Sequence, residues 1–597
     1  MFKKPLIAVA LAAVSTLAFC ESADLTITKS FPLDLAEAVG EITVISREDI
    51  QNGAYTSIYD VLRSRPGVSV YRQGGDASVS KIRVAGFEDE QVLVLVDGVN
   101  TNDPYWGNQR LEFIDLNQVE RIELVQGNSA VAFGGIGGAV ISIITIPQTT
   151  ENKTSVSSTY ASQNTKGVAV QLRQHVSNDS VFSISGNKTT SDGYDLRSDT
   201  DPDTDSYEKS SANISVVRKV GVDEVFISVS KQHGSTMLDL ASNEFNNTQD
   251  IVDHALTTKV VGYSTVLANH RVEVKHSDLH LTDNNRNPLD ASDFSLITSD
   301  TSSSRVSVTG NRGTKRYSLS ADHLRQERED QYGWTYVENT GISASIDTSN
   351  ASETVSPFFV VRHDDNKDWG NHFGGSVGIR LDQNLYDAIF SIGSSYRAPN
   401  ASEAFSATQG ERTNQLNTSW SLQINDTQTV TIRTLQAISL NRISQGAPNY
   451  GANIGKNKIN FFSVEMASLQ QASEWSMAYE YTDSRLEEHG WKQMPFIPES
   501  QIKARYIRFL GKNSLIAEFN ANDGYFTNYN EIADSRQAGF GDLNLSHTYT
   551  SHGAWKIKTS VENIFDRQPE YQFLYSGAVQ SFRGPGRFIS VTLSYGL

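Results

Sequence analysis

"RFISVTLSYGL", residues 587–597, decides the fold. Ile589, Val591, Leu593, Tyr595 and Leu597 fall on one face of an extended chain, and Ser590, Thr592 and Ser594 fall on the other. Side chains alternate across a strand with a period of two, so the segment presents one apolar face and one hydroxyl face. Apolar outward and polar inward is the pattern of a membrane barrel strand. "HRVEVKHSDLHLTD" (270–283) alternates in the same way. Similar short segments, divided by polar turns, recur from about residue 150 onward. That span allows about 22 strands of ~10 residues with their turns and loops, the size associated with plugged outer-membrane transporters. A soluble β-sandwich or β-propeller shares the periodicity. Three features favour the membrane barrel: an export signal, the aromatic terminal strand and long acidic loops.

Residues 1–20, "MFKKPLIAVALAAVSTLAFC", supply the export signal. Lys3 and Lys4 start it and an apolar run continues to Phe19, the layout of a secretory signal, with cleavage after Ala18 or Cys20. A lipid-modified Cys20 ranks second, because large Phe19 stands where lipoprotein signals place a small residue. Cys20 is the only cysteine, so the mature chain is expected to hold no disulfide, thiolate catalyst or cysteine metal site. No later stretch approaches 20 apolar residues. An exported chain of this kind either stays soluble outside the inner membrane or crosses a membrane as a closed barrel. With 51 Lys and Arg against 69 Asp and Glu, the formal net charge is −18, which excludes a phosphate-backbone binder and predicts no nucleic-acid partner. Abundant Ser, Thr, Asn and Gly beside only 14 Pro favour strands and turns over long helices.

Residues 31–148 have a different texture. "EITVIS" (41–46) reads as a strand, and Ser46 opens a capping-box pattern for a short helix. "TSIYDVLRSRPGV" (56–68) reads as a helix opened by Thr56 and ended before Pro66-Gly67. "QVLVLVDGV" (91–99) is a near-continuous apolar run, as in a strand buried on both faces. "VERIELVQG" (119–127) and the Gly-rich "FGGIGGAVISIIT" (133–145) follow.

"VLVLVDGV" (92–99), "VERIELVQGNSAVAFGGIGGAVISIIT" (119–145), "SSYRAPN" (394–400) and "VENIFDRQPEY" (561–571), in this order, resemble the TonB-dependent outer-membrane receptors. The resemblance spans nearly the whole mature chain. It implies an all-β membrane protein: a 22-stranded antiparallel transmembrane β-barrel with an N-terminal α/β plug inside it. The expected division is a signal peptide over 1–20, a TonB-box segment over 21–30, a plug over 31–148 and the barrel over 149–597. The resemblance also implies a monomer without enzymatic activity, in outer-membrane lipid of a Gram-negative bacterium, energised by the inner-membrane TonB protein. The TonB box is assigned to "ADLTITKS", Ala23, Asp24, Leu25, Thr26, Ile27, Thr28, Lys29 and Ser30. Leu25 and Ile27 alternate there with Thr26 and Thr28, so the segment suits addition to a partner's sheet edge.

"GYDLRSDTDPDTDSY" (193–207) holds five aspartates in fifteen positions. A solvated acidic loop is the plain reading. An EF-hand fails on spacing, since Ser206 stands sixth from Asp201 where glycine is needed, and Ala212 stands twelfth where glutamate is needed. A hard-cation site fits better, because calcium takes 6–8 oxygen ligands. The arrangement is most similar to the family's cobalamin receptors, whose calcium sites use an aspartate after Gly-Tyr, acceptors a little later, and the next loop. That similarity implies calcium ligands at Asp195, Asp201, Asp203 and Asp205, with the carbonyl of Leu238, Asp239 and Asp250 from "TMLDLASNEFNNTQD" (236–250). It places ligand contacts on the plug apices at Val79, Lys81, Glu88, Trp106 and Gly107. In the same loop Tyr105 and Trp106 would cover an apolar ligand face, and Asn102, Asn108 and Gln109 would offer hydrogen bonds.

The chain departs from the family's pattern in places. Ala85-Gly86 and Gln126-Gly127-Asn128 stand where the plug usually carries Arg-Gly and Arg-Gly-Pro. Two plug arginines expected to pair with barrel carboxylates are therefore missing, which predicts altered seating. "GERTNQLNTSW" (410–420) replaces an Asn-Pro-rich run, and Leu597 stands where phenylalanine is commoner. The function expected is TonB-dependent import of cobalamin or a related corrinoid. The first alternative keeps the fold and imports a ferric siderophore or haem. The twelve histidines form no cluster in sequence, and the loops are acidic where acidic iron chelates would favour basic ones. A passive porin or adhesin needs neither TonB box nor plug. A secreted hydrolase lacks a G-x-S-x-G or H-E-x-x-H signature.

Overall fold

The computed structural model describes residues 42–596 except 73–75, 77–79, 105, 110, 135–136, 146–151, 178, 197–203, 239–249, 288–289, 314, 331–332, 349–353, 384, 445–450, 528–534, 552–553, 569 and 576–577. Residues 1–20, read above as a signal, and 23–30, read above as a TonB box, lie outside the described residues, as does Leu597.

From Lys153 onward the chain closes into one antiparallel barrel, in which the last strand, Phe588–Gly596, pairs with the first, Lys153–Ala161. The two-residue strand Lys492–Gln493 is a side branch, since Ser473–Leu486 pairs directly with Ser500–Leu510 around it; the wall has 22 staves. Closure leaves no edge, so every stave's backbone is paired on both sides, the condition for standing in lipid. The outward face of the terminal strand is as its alternation predicts: Ile589, Val591 and Leu593 are 41–46% exposed. On the lumen side, Ser590 bonds Ser560 at 2.6 Å and Thr592 bonds Thr159 at 2.9 Å. Tight turns such as 221–222, 268–269 and 471–472 join the staves at one end, and longer connections such as 192–206, 398–410 and 441–456 join them at the other. Short turns face the periplasm and long loops face outward in such barrels.

The plug fills the lumen. Its sheet comprises β1 (Ile42–Ser46), β4 (Val92–Val96), β5 (Val99–Asn100), β6 (Arg121–Gln126) and β7 (Ala139–Ile144), in the order β1-β6-β7-β4-β5. β2 (Val68–Arg72) and β3 (Ser80–Val84) form a separate hairpin. β4 explains its own apolar run. Val92 and Val94 face a cluster with Ile58, Val61 and Leu62, whereas Leu93 and Leu95 face Val125 and Val140. Each such burial contributes about 1.5–3 kcal/mol. The first cluster also takes in Leu435, Ile459 and Phe461 of the barrel wall, so plug and barrel share one core.

Ser46 caps helix Arg47–Asn52 by accepting from the Asp49 N–H. The second helix is Ile58–Arg63, and its cap is Ser57 rather than Thr56. Asp60 is the reason: its carboxylate accepts from the Ser57 N–H at 3.0 Å and the Ser57 hydroxyl at 2.7 Å, with the Thr56 hydroxyl as a further donor at 2.9 Å. Phe113 of the plug lies directly against Gly234 of the strand Asp223–Leu238, where an added Cβ would stand 1.8 Å from the ring. Gly234→Ala is therefore expected to displace the ring and destabilise plug docking by about 1–3 kcal/mol. A lower urea midpoint for plug unfolding, with the barrel transition unmoved, would show it.

One plug arginine does meet a barrel carboxylate, Arg63 with Asp542 at 2.9 Å, and beside it stand charges of the opposite arrangement. Barrel Arg442 pairs with plug Glu88, barrel Arg505 with plug Asp49 at 2.8 Å, and barrel Arg173 with plug Glu120. Where one of these arginines was expected, Gln126 donates to the Pro66 carbonyl at 3.3 Å, and Asn128, in the place of the expected proline, donates to Ser391 at 3.3 Å. Barrel Glu480 is matched from the barrel itself by Lys503 at 3.4 Å, and Lys503 also donates to the plug carbonyl of Arg65 at 2.6 Å.

Candidate functional site

The plug's outward apices are the segments after β3 and β5. The second segment, 101–109, turns back on itself through an isolated pairing of Asn102 with Gln109. Asn102 accepts from the Val94 N–H at 2.9 Å and donates to the Val92 and Gly107 carbonyls at 2.9 and 3.0 Å. Gln109 donates to the Asp89 and Val92 carbonyls at 2.7 and 3.1 Å. Both amides therefore shape the loop, and Asn108 is also buried. Trp106 is 41% exposed at the tip. Gly107 lies beneath it, where an added Cβ would come 3.0 Å from Asn400 of the neighbouring barrel loop, and Ala401 N donates to the Pro104 carbonyl at 3.2 Å. The apex thus touches the outer loop 398–410. Tyr105 and Val79 lie outside the described residues.

The segment after β3 carries three consecutive acids, Glu88, Asp89 and Glu90, all buried. Lys81 stands 3.3 Å from Asp89 and 3.7 Å from Glu90. Burial works against the charged lysine, but these carboxylates outweigh it and hold its pKa above the ordinary value. Burial would raise Asp89, yet Lys81 and Arg83 hold it below the carboxylate range. Glu90 goes the other way: burial, with Asp89 beside it, pushes its pKa up to about 8. The folded apex keeps a proton that an unfolded Glu90 releases above about 4.5. Stability is therefore expected to fall as pH rises from there through about 8, by roughly a few kcal/mol, and to level beyond. Glu90→Gln should flatten that slope in urea titrations between pH 5 and pH 9.

Glu88 faces inward to the barrel. It joins a buried chain of alternating charge: Arg83 to Glu88 at 3.8 Å, Glu88 to Arg442, Arg442 to Glu411 at 2.9 Å, Glu411 to Arg397 at 3.3 Å, and Arg397 to Glu403 at 2.8 Å. Three cations meet three anions, so the chain is neutral while it ties the apex to the bases of two outer loops. Four of its members are barrel residues; Arg397 lies in "SSYRAPN" (394–400), but no local pattern in the sequence marks the four as partners. Beside the apex a cleft of about 220 Å³ descends between plug and wall from Gly107 and Asn400 to Gly98. Lys275 closes its floor by donating to the Asp97 carbonyl at 2.7 Å.

The acidic loops gather on the same outer rim. Asp195 pairs with Arg583 at 3.2 Å, and Asp205 accepts from the Leu196 N–H at 2.8 Å. Leu238 ends one strand directly opposite Asp250, which begins the next, and Met237 N donates to the Ser206 carbonyl at 3.0 Å. The sequence-assigned positions 195, 205, 238 and 250 thus lie on adjoining loops. Asp201, Asp203 and Asp239 lie outside the described residues, as do the side chains of Leu238 and Asp250. Among the described residues no three metal-ligating side chains converge.

Residues 34–140 match the family model of the TonB-dependent receptor plug domain. Over 592 residues the chain is 22% identical to the vitamin B12 transporter BtuB of Vibrio vulnificus (strain YJ016), across 94% of this chain and 93% of that one. A mutant of the ferric enterobactin receptor PfeA from Pseudomonas aeruginosa superposes over 95% of this chain and 99% of its own, with TM-score 0.81 and 14% identity. The siderophore receptor PirA from Acinetobacter baumannii does so over 94% and 99%, with TM-score 0.80 and 13% identity. At these identities the two solved structures speak for the fold alone.

Proposed function

We propose that this TonB-dependent outer-membrane receptor imports cobalamin or another corrinoid. Transport across the outer membrane, driven through TonB, belongs to the plug and barrel together. The ligand is the proposal. The observation that carries it is the full-length similarity to a vitamin B12 transporter, together with aspartates on two adjoining outer loops. Ligand would rest on the exposed Trp106 and the apex around Gly107, with polar contacts from the loops. Its greater affinity for one plug state would favour release of the 23–30 segment, which TonB would then pair with. Calcium bound by Asp195, Asp201, Asp203, Asp205, the Leu238 carbonyl, Asp239 and Asp250 would order the two loops. Arg583 holds Asp195 in this structure, so calcium binding would displace a guanidinium there.

Titration of the purified, detergent-solubilised protein with cyanocobalamin tests both parts. Tight binding that weakens with EDTA, and likewise in Asp203→Ala, is expected. Tight binding indifferent to chelation would keep the ligand and reduce the aspartates to a solvated loop. An absence of binding in either condition would overturn the corrinoid reading and leave the transporter fold in place.

A further inference from the structure

We infer that the route past the plug runs along the barrel's closing seam, and that Arg47 is its latch. The inference rests on the transport reading of the fold and on no particular ligand. Besides a gap of about 540 Å³ that keeps to the outer ends of the staves, from Ser69, Val70 and Tyr71 of the plug to Asn520, Ala521 and Asn522 of the wall, two sizeable gaps separate plug from wall among the described residues. The cleft beside Trp106 ends on Gly98, where Lys275 crosses its floor to donate to the Asp97 carbonyl at 2.7 Å. The second gap measures about 460 Å³. It reaches from Ala161 and Thr165, beside the outer turn 162–164, to Ala554 and Gly596 at the inner end. It therefore spans the height of the wall, and its volume falls within the roughly 300–1,000 Å³ of ligand-sized pockets.

Its barrel side is the seam itself. Ser155, Ser157 and Thr159 of the first strand face Ser590, Thr592 and Ser594 of the last. Its charge is unlike that of the whole chain. Arg47, Lys153, Lys209, Lys556 and Lys558 line it against only Asp76 and Asp115, in a protein of formal charge −18. Hydroxyls and a positive excess suit a hydrogen-bonding solute that carries an anionic group, such as a phosphodiester or carboxylate.

The plug side is built by 47–56 and by 113–117. The first of these follows directly on β1, so a pull on the chain ahead of Ile42 reaches this wall of the gap next after β1. Arg47 holds it shut. Its guanidinium pairs with Glu120 at 2.6 Å and donates to the Asn117 carbonyl at 2.9 Å and to barrel Gln171 at 2.8 Å. Barrel Arg173 shares the same Glu120. One side chain thus joins helix Arg47–Asn52, the 113–120 segment and the wall.

The test is ion conductance of the full chain in planar bilayers, without ligand. Arg47→Glu sets a carboxylate against Glu120. It is expected to raise the open fraction roughly tenfold or more, since reversing a part-buried pair that two further hydrogen bonds support costs more than the about 1.4 kcal/mol that a factor of ten represents. Arg47→Lys should stay closed. The matched control is Arg63→Glu, which reverses a plug–barrel pair with Asp542, 2.9 Å apart, that lines the outer gap of about 540 Å³ and not this one. Equal conductance in Arg47→Glu and Arg63→Glu would overturn the inference in favour of general loosening. Conductance of Arg47→Glu at the wild-type level would overturn it outright. Should Arg47→Glu fail to insert, Arg47→Met, which removes the same pairings without adding charge, is read by the same criteria. Since no ligand enters the measurement, failure of the corrinoid titration leaves it unaffected.

Discussion

Arg442→Met is expected to cost the seated plug about 3–5 kcal/mol, because it leaves carboxylates buried without their cation. Arg442 is fully buried between Glu88 and Glu411, which are themselves 3% and 1% exposed. Glu411 would retain Arg397, and Glu88 would retain only Arg83 at 3.8 Å. The loss should concentrate at the plug apex and read as faster hydrogen exchange of the amides of 88–96, with the barrel staves unchanged. Pairing Arg442→Met with Glu88→Gln should recover part of it, since groups in one charge network are not additive. If the double variant is as damaged as the sum of the singles, the Glu88–Arg442 contact does not seat the apex.

A comparable loss is expected from Arg362→Met, this time in the barrel. Arg362 is 1% exposed on the lumen wall. Its guanidinium bonds both oxygens of Asp322 at 2.8 Å and grips Asp364 at 2.7–3.0 Å. It reaches Asp322 by lying across Gly341, where a Cβ would meet it at 1.8 Å. Without it two largely buried carboxylates face each other's field, with only Arg305 at 4.0 Å from Asp322 and the Asn339 amide at 2.8 Å from Asp364 among the described partners, at a cost of about 3–5 kcal/mol. Arg362→Lys should recover little, because an ammonium cannot fork to two carboxylates at once. Urea unfolding of the barrel in detergent would measure both variants. A lysine variant as stable as the native protein would refute the fork.

What could be read from the sequence follows from the range of the interactions involved. The alternation of 587–597 needs only neighbours two apart, and it gave the lipid and lumen faces correctly. The run 92–96 announced a strand buried on both faces, because each residue's environment repeats that of the residue two before it. The capping shift from Thr56 to Ser57 was set by Asp60, three residues on, and was almost legible. The charge chain was not. Glu88 and Arg442 are 354 positions apart, and nothing local distinguishes a glutamate that will seat a plug from one that will greet a ligand. The missing plug arginines suggested altered seating, and the structure supplies their substitute from the barrel's own arginines. Lys81 and Glu88 were singled out as apex contacts. The fold places both among ion pairs, while Trp106 alone of the described apex positions stands well exposed.

The place of β1 in the plug sheet has a mechanical meaning. β1 stands at the sheet's edge and is joined by five residue pairs to β6 alone. Tension entering ahead of Ile42 is borne first by this short edge strand. The interior strands β6, β7 and β4 are each held on two sides, so β1 has fewer pairings to lose than they do. The plug is thus a body with a designated tear line. Tension is expected to strip this strand first, and the remaining four-stranded sheet would then be the template on which it could lie down again.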